Sequence, residues 1–134
     1  MRTTLTQEQI NAYRGNGFLF FPDLLTADEV EELETAVLDA ISTMGKNKIA
    51  DGLEWIEGDG FYDKVFTQRM NLWRINDTVR RYTRATELGQ MAARLAGVDA
   101  MRIWCDQALI KEPFANPTAY HLDNPFWSFH SHDS

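Results

Sequence analysis

The chain has 134 residues and a mass of 15.4 kDa, with 44% hydrophobic and 12% aromatic residues and a formal net charge of −7. One domain of this length can bury a sizeable core, so disordered, collagen-like and coiled-coil classes are excluded, and a single Cys excludes a disulfide framework or a Cys-rich zinc module. A pI near 4.8 argues against nucleic acid or an anionic membrane as partner, because such surfaces cluster Lys and Arg. No run of about 18 apolar residues occurs, and the opening MRTTLTQEQ lacks the basic-then-apolar order of a signal peptide. A soluble cytoplasmic protein is the expectation. The charge is unevenly spread: residues 1–63 carry 4 basic and 13 acidic side chains, residues 64–134 carry 9 and 7.

In chain order, Thr6-Gln7-Glu8-Gln9 has capping-box spacing and predicts a short helix from Thr6 to Arg14, ended by Gly15-Asn16-Gly17. Phe18 to Phe21 reads as a brief apolar strand stopped by Pro22. Thr26-Ala27-Asp28-Glu29 is a second capping box with an acidic first turn. The helix it opens repeats Val30, Leu33, Val37, Ala40, Ile41 and Met44 on one face and ends at Gly45. Its Glu-rich face is read as solvated, against the alternative of an interaction surface. Residues 45–63 read as a loop with Trp55 and Ile56 as anchors.

Val65 to Ile75 is strand-like and mixed in polarity. Asn76 predicts a helix cap for a stretch through Arg84, and Thr86 a cap for another ending at Gly97, with Leu88, Met91, Ala92 and Leu95 on one face. Arg80, Arg81, Arg84 and Arg94 are spread over helical turns in an acidic protein and read as surface ion-pair partners rather than an anion site. Met101 to Ile110 is the clearest strand. It alternates Met101, Ile103, Cys105, Gln107 and Leu109 with Arg102, Trp104, Asp106, Ala108 and Ile110, polar residues falling on both faces as in a strand that lines a cavity. Pro113 and Pro117 bound a loop, after which Thr118-Ala119-Tyr120-His121 resumes extended structure.

His121-Leu122-Asp123 closes that run, and all three His lie in the last fourteen residues. In a strand, positions i and i+2 share a side, so an imidazole and a carboxylate can converge on one ion. A mixed N/O pair suits Fe(II) in a 2-His-1-carboxylate facial triad. A bare H-x-D is weakly specific, the alternative being a hydrogen-bonded structural His.

Trp104-Cys105-Asp106-Gln107-Ala108-Leu109-Ile110-Lys111, followed after the loop by Tyr120-His121-Leu122-Asp123-Asn124-Pro125-Phe126-Trp127, resembles the phytanoyl-CoA dioxygenase family. Members typically show a D-Q-A-L-x-K-like strand and then W-H-Q-D-N-P-x-W; here Tyr120 replaces the Trp and Leu122 the Gln. The N-terminal Leu5-Thr6, Tyr13, Asn16-Gly17-Phe18-Leu19, Leu24-Leu25-Thr26, Glu29-Val30 and Leu33 also look like the family's opening segment. The resemblance implies an Fe(II)- and 2-oxoglutarate-dependent dioxygenase acting on a small molecule with O2. It implies an α+β chain: a mainly helical layer over 1–99, then the first strands of a double-stranded β-helix (jelly-roll or cupin-like) over 100–134. His121 and Asp123 would be iron ligands, and an Asp at the second position points to hydroxylation rather than halogenation. Gln107 and Lys111 fall where members line the cosubstrate or substrate pocket, the alternatives being a satisfied strand amide and a solvent-facing amine. Asn124 and Trp127 would shape the pocket wall, Trp127 being equally readable as core.

The family also uses a distal His and an Arg that grips the 2-oxoglutarate carboxylate through a bidentate pair. Both lie downstream of H-x-D, and the sequence ends eleven residues past Asp123. A barrel of this kind has about 8 strands, and residues 100–134 have space for two or three. The expectation is therefore an incomplete barrel, inactive as an isolated chain and able to self-associate through open edges. The alternatives are a non-catalytic binding or assembly fragment of the same fold and, less favoured, a zinc hydrolase using His121, His130, His132 and Asp133.

Overall fold

The computed structural model describes residues 1–45, 47–50 and 65–121. Four helices and one antiparallel strand pair are found among them, in the order α1 (Gln7–Asn16), α2 (Ala27–Met44), β1 (Thr67–Met70), a 3-10 turn (Leu72–Arg74), α3 (Asp77–Thr83), α4 (Thr86–Ala96) and β2 (Gln107–Ile110). The architecture is mixed helix and strand, in line with an α+β chain.

Both capping boxes form. The Thr6 hydroxyl accepts from the Gln9 N–H while the Gln9 side chain accepts from the Thr6 N–H, and Thr26 and Glu29 repeat the arrangement. Each box satisfies two N–H groups that the first helical turn would leave unpaired. Gly17 and Gly97 end α1 and α4 with φ of 79° and 75°, a left-handed conformation that glycine adopts without steric cost.

Two apolar clusters form the core. In the first, Ala36, Ala40 and Met44 of α2 meet Ala50, Leu72 and Val79, with Trp73 and Ala108 against them. The three buried α2 positions are spaced by four, so a single stripe of that helix faces inward. In the second, Ile10 of α1 and Met91 of α4 enclose Leu5, with Leu19, Phe21, Leu24 and Leu95 around them. Arg14 holds the same pair of helices together by donating to the Leu95 and Arg94 carbonyls at the end of α4, each at 3.3 Å.

Several elements differ from their sequence reading. Phe18 to Phe21 is not a strand. Its alternation survives, with Leu19 and Phe21 turned into the second cluster and Phe18 and Phe20 outward, but the segment packs on helices and pairs with no strand among the described residues. The expected strand over Val65–Ile75 is four residues long, because Asn71 takes a left-handed conformation (φ 62°) and turns the chain into the 3-10 segment. That break also limits β2. The expected strand over Met101–Ile110 pairs only at Gln107–Ile110, in a register that sets Met70 opposite Gln107 and Thr67 opposite Ile110. Thr86 is the first residue of α4 rather than its cap. Ala85 occupies that position without a side-chain bond, since only Arg84 and Ala85 separate α4 from α3. Val30, assigned to the packed face of α2, is 49% exposed. Trp55 and Ile56 lie outside the described residues.

Candidate metal centre

The residues that resemble an iron site follow β2. Within that strand, Ala108 packs against the first cluster and Ile110, on the same face, is half-buried, while Gln107 and Leu109 face outward. Gln107 is exposed and its side-chain carbonyl accepts from the Gln68 amide at 3.4 Å, across the strand pair. It therefore behaves as a satisfied amide on the outer sheet face. Lys111 lies one residue past the end of β2, exposed, and its ammonium donates to the Thr118 hydroxyl at 3.3 Å. This bond spans the Pro-bounded loop, in which Phe114 takes φ 63° and the Ala115 N–H donates to the Glu112 carbonyl.

His121 is exposed, with Nδ1 at 2.9 Å from the Ala119 carbonyl oxygen. A carbonyl only accepts, so Nδ1 donates in this bond, and a backbone carbonyl on one ring nitrogen is the usual orienting contact of a metal-ligating His. Thr118 to His121 forms no strand with any described residue. Asp123, Asn124 and Trp127, along with His130, His132 and Asp133, lie outside the described residues. Among the described residues no three His, Cys, Asp or Glu side chains gather closely enough to hold a metal ion.

Asp106 plays a part that the strand pattern only hinted at. Its carboxylate accepts from the Trp73 N–H at 3.1 Å and its backbone carbonyl from the Asn71 N–H at 3.1 Å, tying the approach to β2 onto the start of the 3-10 turn. Burial pushes its carboxyl above the usual Asp range, against the lowering effect of these N–H groups. The second carboxylate oxygen is buried and accepts no hydrogen bond from the described residues. The sequence signal was a charged residue on the same strand face as Ala108, where an apolar side chain is the norm.

A second polar constellation joins α2 to α3. The Tyr82 hydroxyl and the Arg81 guanidinium both donate to one Glu32 oxygen. The Tyr82 bond and then the Arg81 bond hold the Glu32 carboxyl below its ordinary range, and the same contact with Glu32 pushes the Tyr82 phenol up. The cluster borders an open groove of about 600 Å³ whose other walls include Asp28, Glu31, Asp39 and Asn76. A smaller groove, about 320 Å³, runs past Arg84, Gly89 and Met101. Neither groove includes Gln107, Lys111 or His121. Of the four arginines read as ion-pair partners, Arg80 pairs with Asp77 and Arg81 with Glu32. Arg84 instead lies over the Trp73 ring, 4.9 Å from its centroid, and Arg94 reaches the Leu5 carbonyl.

No helix among the described residues is long and apolar enough to cross a membrane. No protein-family model, curated protein or solved structure matches the chain.

Proposed function

We propose that the chain contributes the H-x-D metal ligands of an Fe(II)- and 2-oxoglutarate-dependent oxygenase site of the phytanoyl-CoA dioxygenase type, built on a double-stranded β-helix and acting on a small molecule. Two observations support the reading. The D-Q-A-L-x-K and H-x-D-N-P-x-W patterns stand ten residues apart at their Lys111 and His121 positions. The Nδ1 of His121 contacts the Ala119 carbonyl at 2.9 Å, the kind of backbone contact that orients a ligating imidazole; the paired patterns carry the proposal.

In this reading His121 and Asp123 hold the iron. Iron with 2-oxoglutarate and O2 supplies the oxidising chemistry for hydroxylating an unactivated C–H bond. The contribution of the chain's own residues is positional. The Ala119 carbonyl fixes the His121 ring, the Lys111–Thr118 bond closes the loop leading to it, and Gln107 and Lys111 present polar groups on the outward side of the strand that precedes it.

The test is Fe(II) affinity and 2-oxoglutarate-dependent succinate formation by wild type, His121→Ala and Asp123→Ala. Iron binding by the wild type should fall at least 10-fold in either variant, the order of loss expected when a metal shell is disrupted. Unchanged iron binding in His121→Ala removes the site. Retention of iron without succinate formation supports the metal assignment and limits the isolated chain to binding.

A further inference from the structure

We propose that the Thr118 hydroxyl is a positioning group for the candidate metal ligand His121, acting through its bond to the Lys111 ammonium. Thr118 lies outside both sequence patterns, and its role rests on the iron reading above. A continuous path of contacts leads from the core to the His121 ring. Asp106 is tied to the 3-10 turn through the Trp73 and Asn71 N–H groups, and β2 follows it at once, held by β1. Lys111 is the next residue after β2, and its ammonium donates to the Thr118 hydroxyl at 3.3 Å. Ala119 follows Thr118 and supplies the carbonyl that lies 2.9 Å from Nδ1 of His121. The Lys111–Thr118 bond thus returns the chain, at the foot of the His121 segment, to the end of β2.

The loop inside this brace has a conformation that needs holding. The Ala115 N–H donates to the Glu112 carbonyl at 3.1 Å, so residues 112–115 form a turn with Pro113 second and Phe114 third. Phe114 has a φ of 63°, at a position where turns with positive φ take Gly or Asn. A larger residue persists there where contacts outside the turn hold it, and the bond across 111–118 is such a contact. Without it, residues 112–117 gain the freedom of an open loop, and the Ala119 carbonyl loses its fixed place relative to β2. Both side chains of the bond are exposed, so water competes for it and its loss should change an equilibrium by about 2- to 5-fold. A contact biases ligand binding by no more than its own difference between the free and bound states. The effect on a metal at His121 is therefore smaller than that of removing the imidazole itself.

The test combines anaerobic Fe(II) binding by the 134-residue chain with hydrogen exchange of the Ala115 amide in the metal-free protein. Thr118→Val keeps the side-chain shape and removes the acceptor, and Lys111→Met removes the donor. Each should weaken Fe(II) binding by about 2- to 5-fold and speed Ala115 exchange by a similar factor, with far-UV circular dichroism unchanged. The double variant should lose no more than either single one, because both substitutions break the same bond. Thr118→Ser retains a hydroxyl and should return both readouts to near the wild-type values. Losses that add in the double variant overturn the inference, as does a Thr118→Ser that binds Fe(II) as weakly as Thr118→Val. Faster Ala115 exchange with Fe(II) affinity unchanged in Thr118→Val, while His121→Ala loses iron, leaves the iron reading standing and refutes the role of Thr118. Fe(II) binding unchanged in His121→Ala overturns the iron reading and this inference with it, an outcome that the Thr118 variants cannot produce.

Discussion

Asn76 joins three parts of the fold, and its substitution separates two contributions of similar size. Its side-chain oxygen accepts from the Thr78 and Val79 N–H groups at 3.0 and 3.1 Å, capping α3, and its amide donates to the Ala36 carbonyl of α2 at 3.3 Å. Loss of an Asn cap costs about 0.5–2 kcal/mol. Loss of one intramolecular hydrogen bond costs about 0.5–1.5 kcal/mol, more where the remaining partner stays shielded from water. Asn76→Ala removes both and should destabilise the chain by about 1.5–3 kcal/mol. Asn76→Asp keeps the cap and places a negative charge at the helix start, worth up to about 1 kcal/mol, while losing the donor to Ala36. It should fall between wild type and Asn76→Ala. Urea unfolding followed by circular dichroism gives the order, and each kcal/mol should move Tm by about 3–5 °C for a chain of this length. An Asn76→Ala variant within about 0.5 kcal/mol of wild type, the scatter of ordinary surface changes, would refute the assignment. So would an Asn76→Asp variant less stable than Asn76→Ala.

Two further outcomes test the charged sites. Burial raises the Asp106 carboxyl, so the folded chain holds that proton more tightly than the unfolded chain does. The resulting penalty is complete above the folded pKa and is lost as pH falls below the unfolded value of about 3.9. Asp106→Asn keeps an acceptor for the Trp73 N–H and removes the charge; it should stabilise the chain at pH 7 by less than about 1 kcal/mol, a figure discounted for partial exposure, with the advantage shrinking through about pH 4 and gone by about pH 3. Urea titrations at the two pH values decide it, and an advantage that grows on acidification contradicts the assignment. In Glu32→Gln the carboxylate that holds up the Tyr82 phenol is gone. One of the four tyrosines should then ionise at lower pH in an absorbance titration, and an unshifted curve would detach Tyr82 from Glu32.

What could be read from the sequence was local chemistry. The Thr6 and Thr26 capping boxes, the Asn76 cap and the glycines closing α1 and α4 each depend on bonds within four residues, and each appears where the residue types require it. Strand extents were not legible, because a ladder is as long as its shorter member and Asn71 shortens β1. The same non-locality hid Asp106, whose partner Trp73 lies 33 residues earlier, and Tyr82, whose partner Glu32 lies 50 residues earlier. Of the expected site, His121, Gln107 and Lys111 are placed, each exposed. The orienting bond from His121 to Ala119 had no sequence signal, since any residue supplies a carbonyl.

The bonds that define the chain change character along it, and this bears on where a reactive site can be built. Up to Ile110, side chains reach distant backbone: Arg14 to Leu95, Asn76 to Ala36, and Asp106 from Trp73. Such contacts tie the helices and the strand pair to one another. Past Ile110, Lys111 with Thr118, Ala115 with Glu112, and His121 with Ala119 are bonds between near neighbours. Connecting segments on a rigid scaffold are where binding groups concentrate, because a modest rearrangement there leaves the core packing untouched. His121 stands in such a segment, eleven residues beyond the last paired strand position. One contact on its ring is local, from Ala119 two residues away.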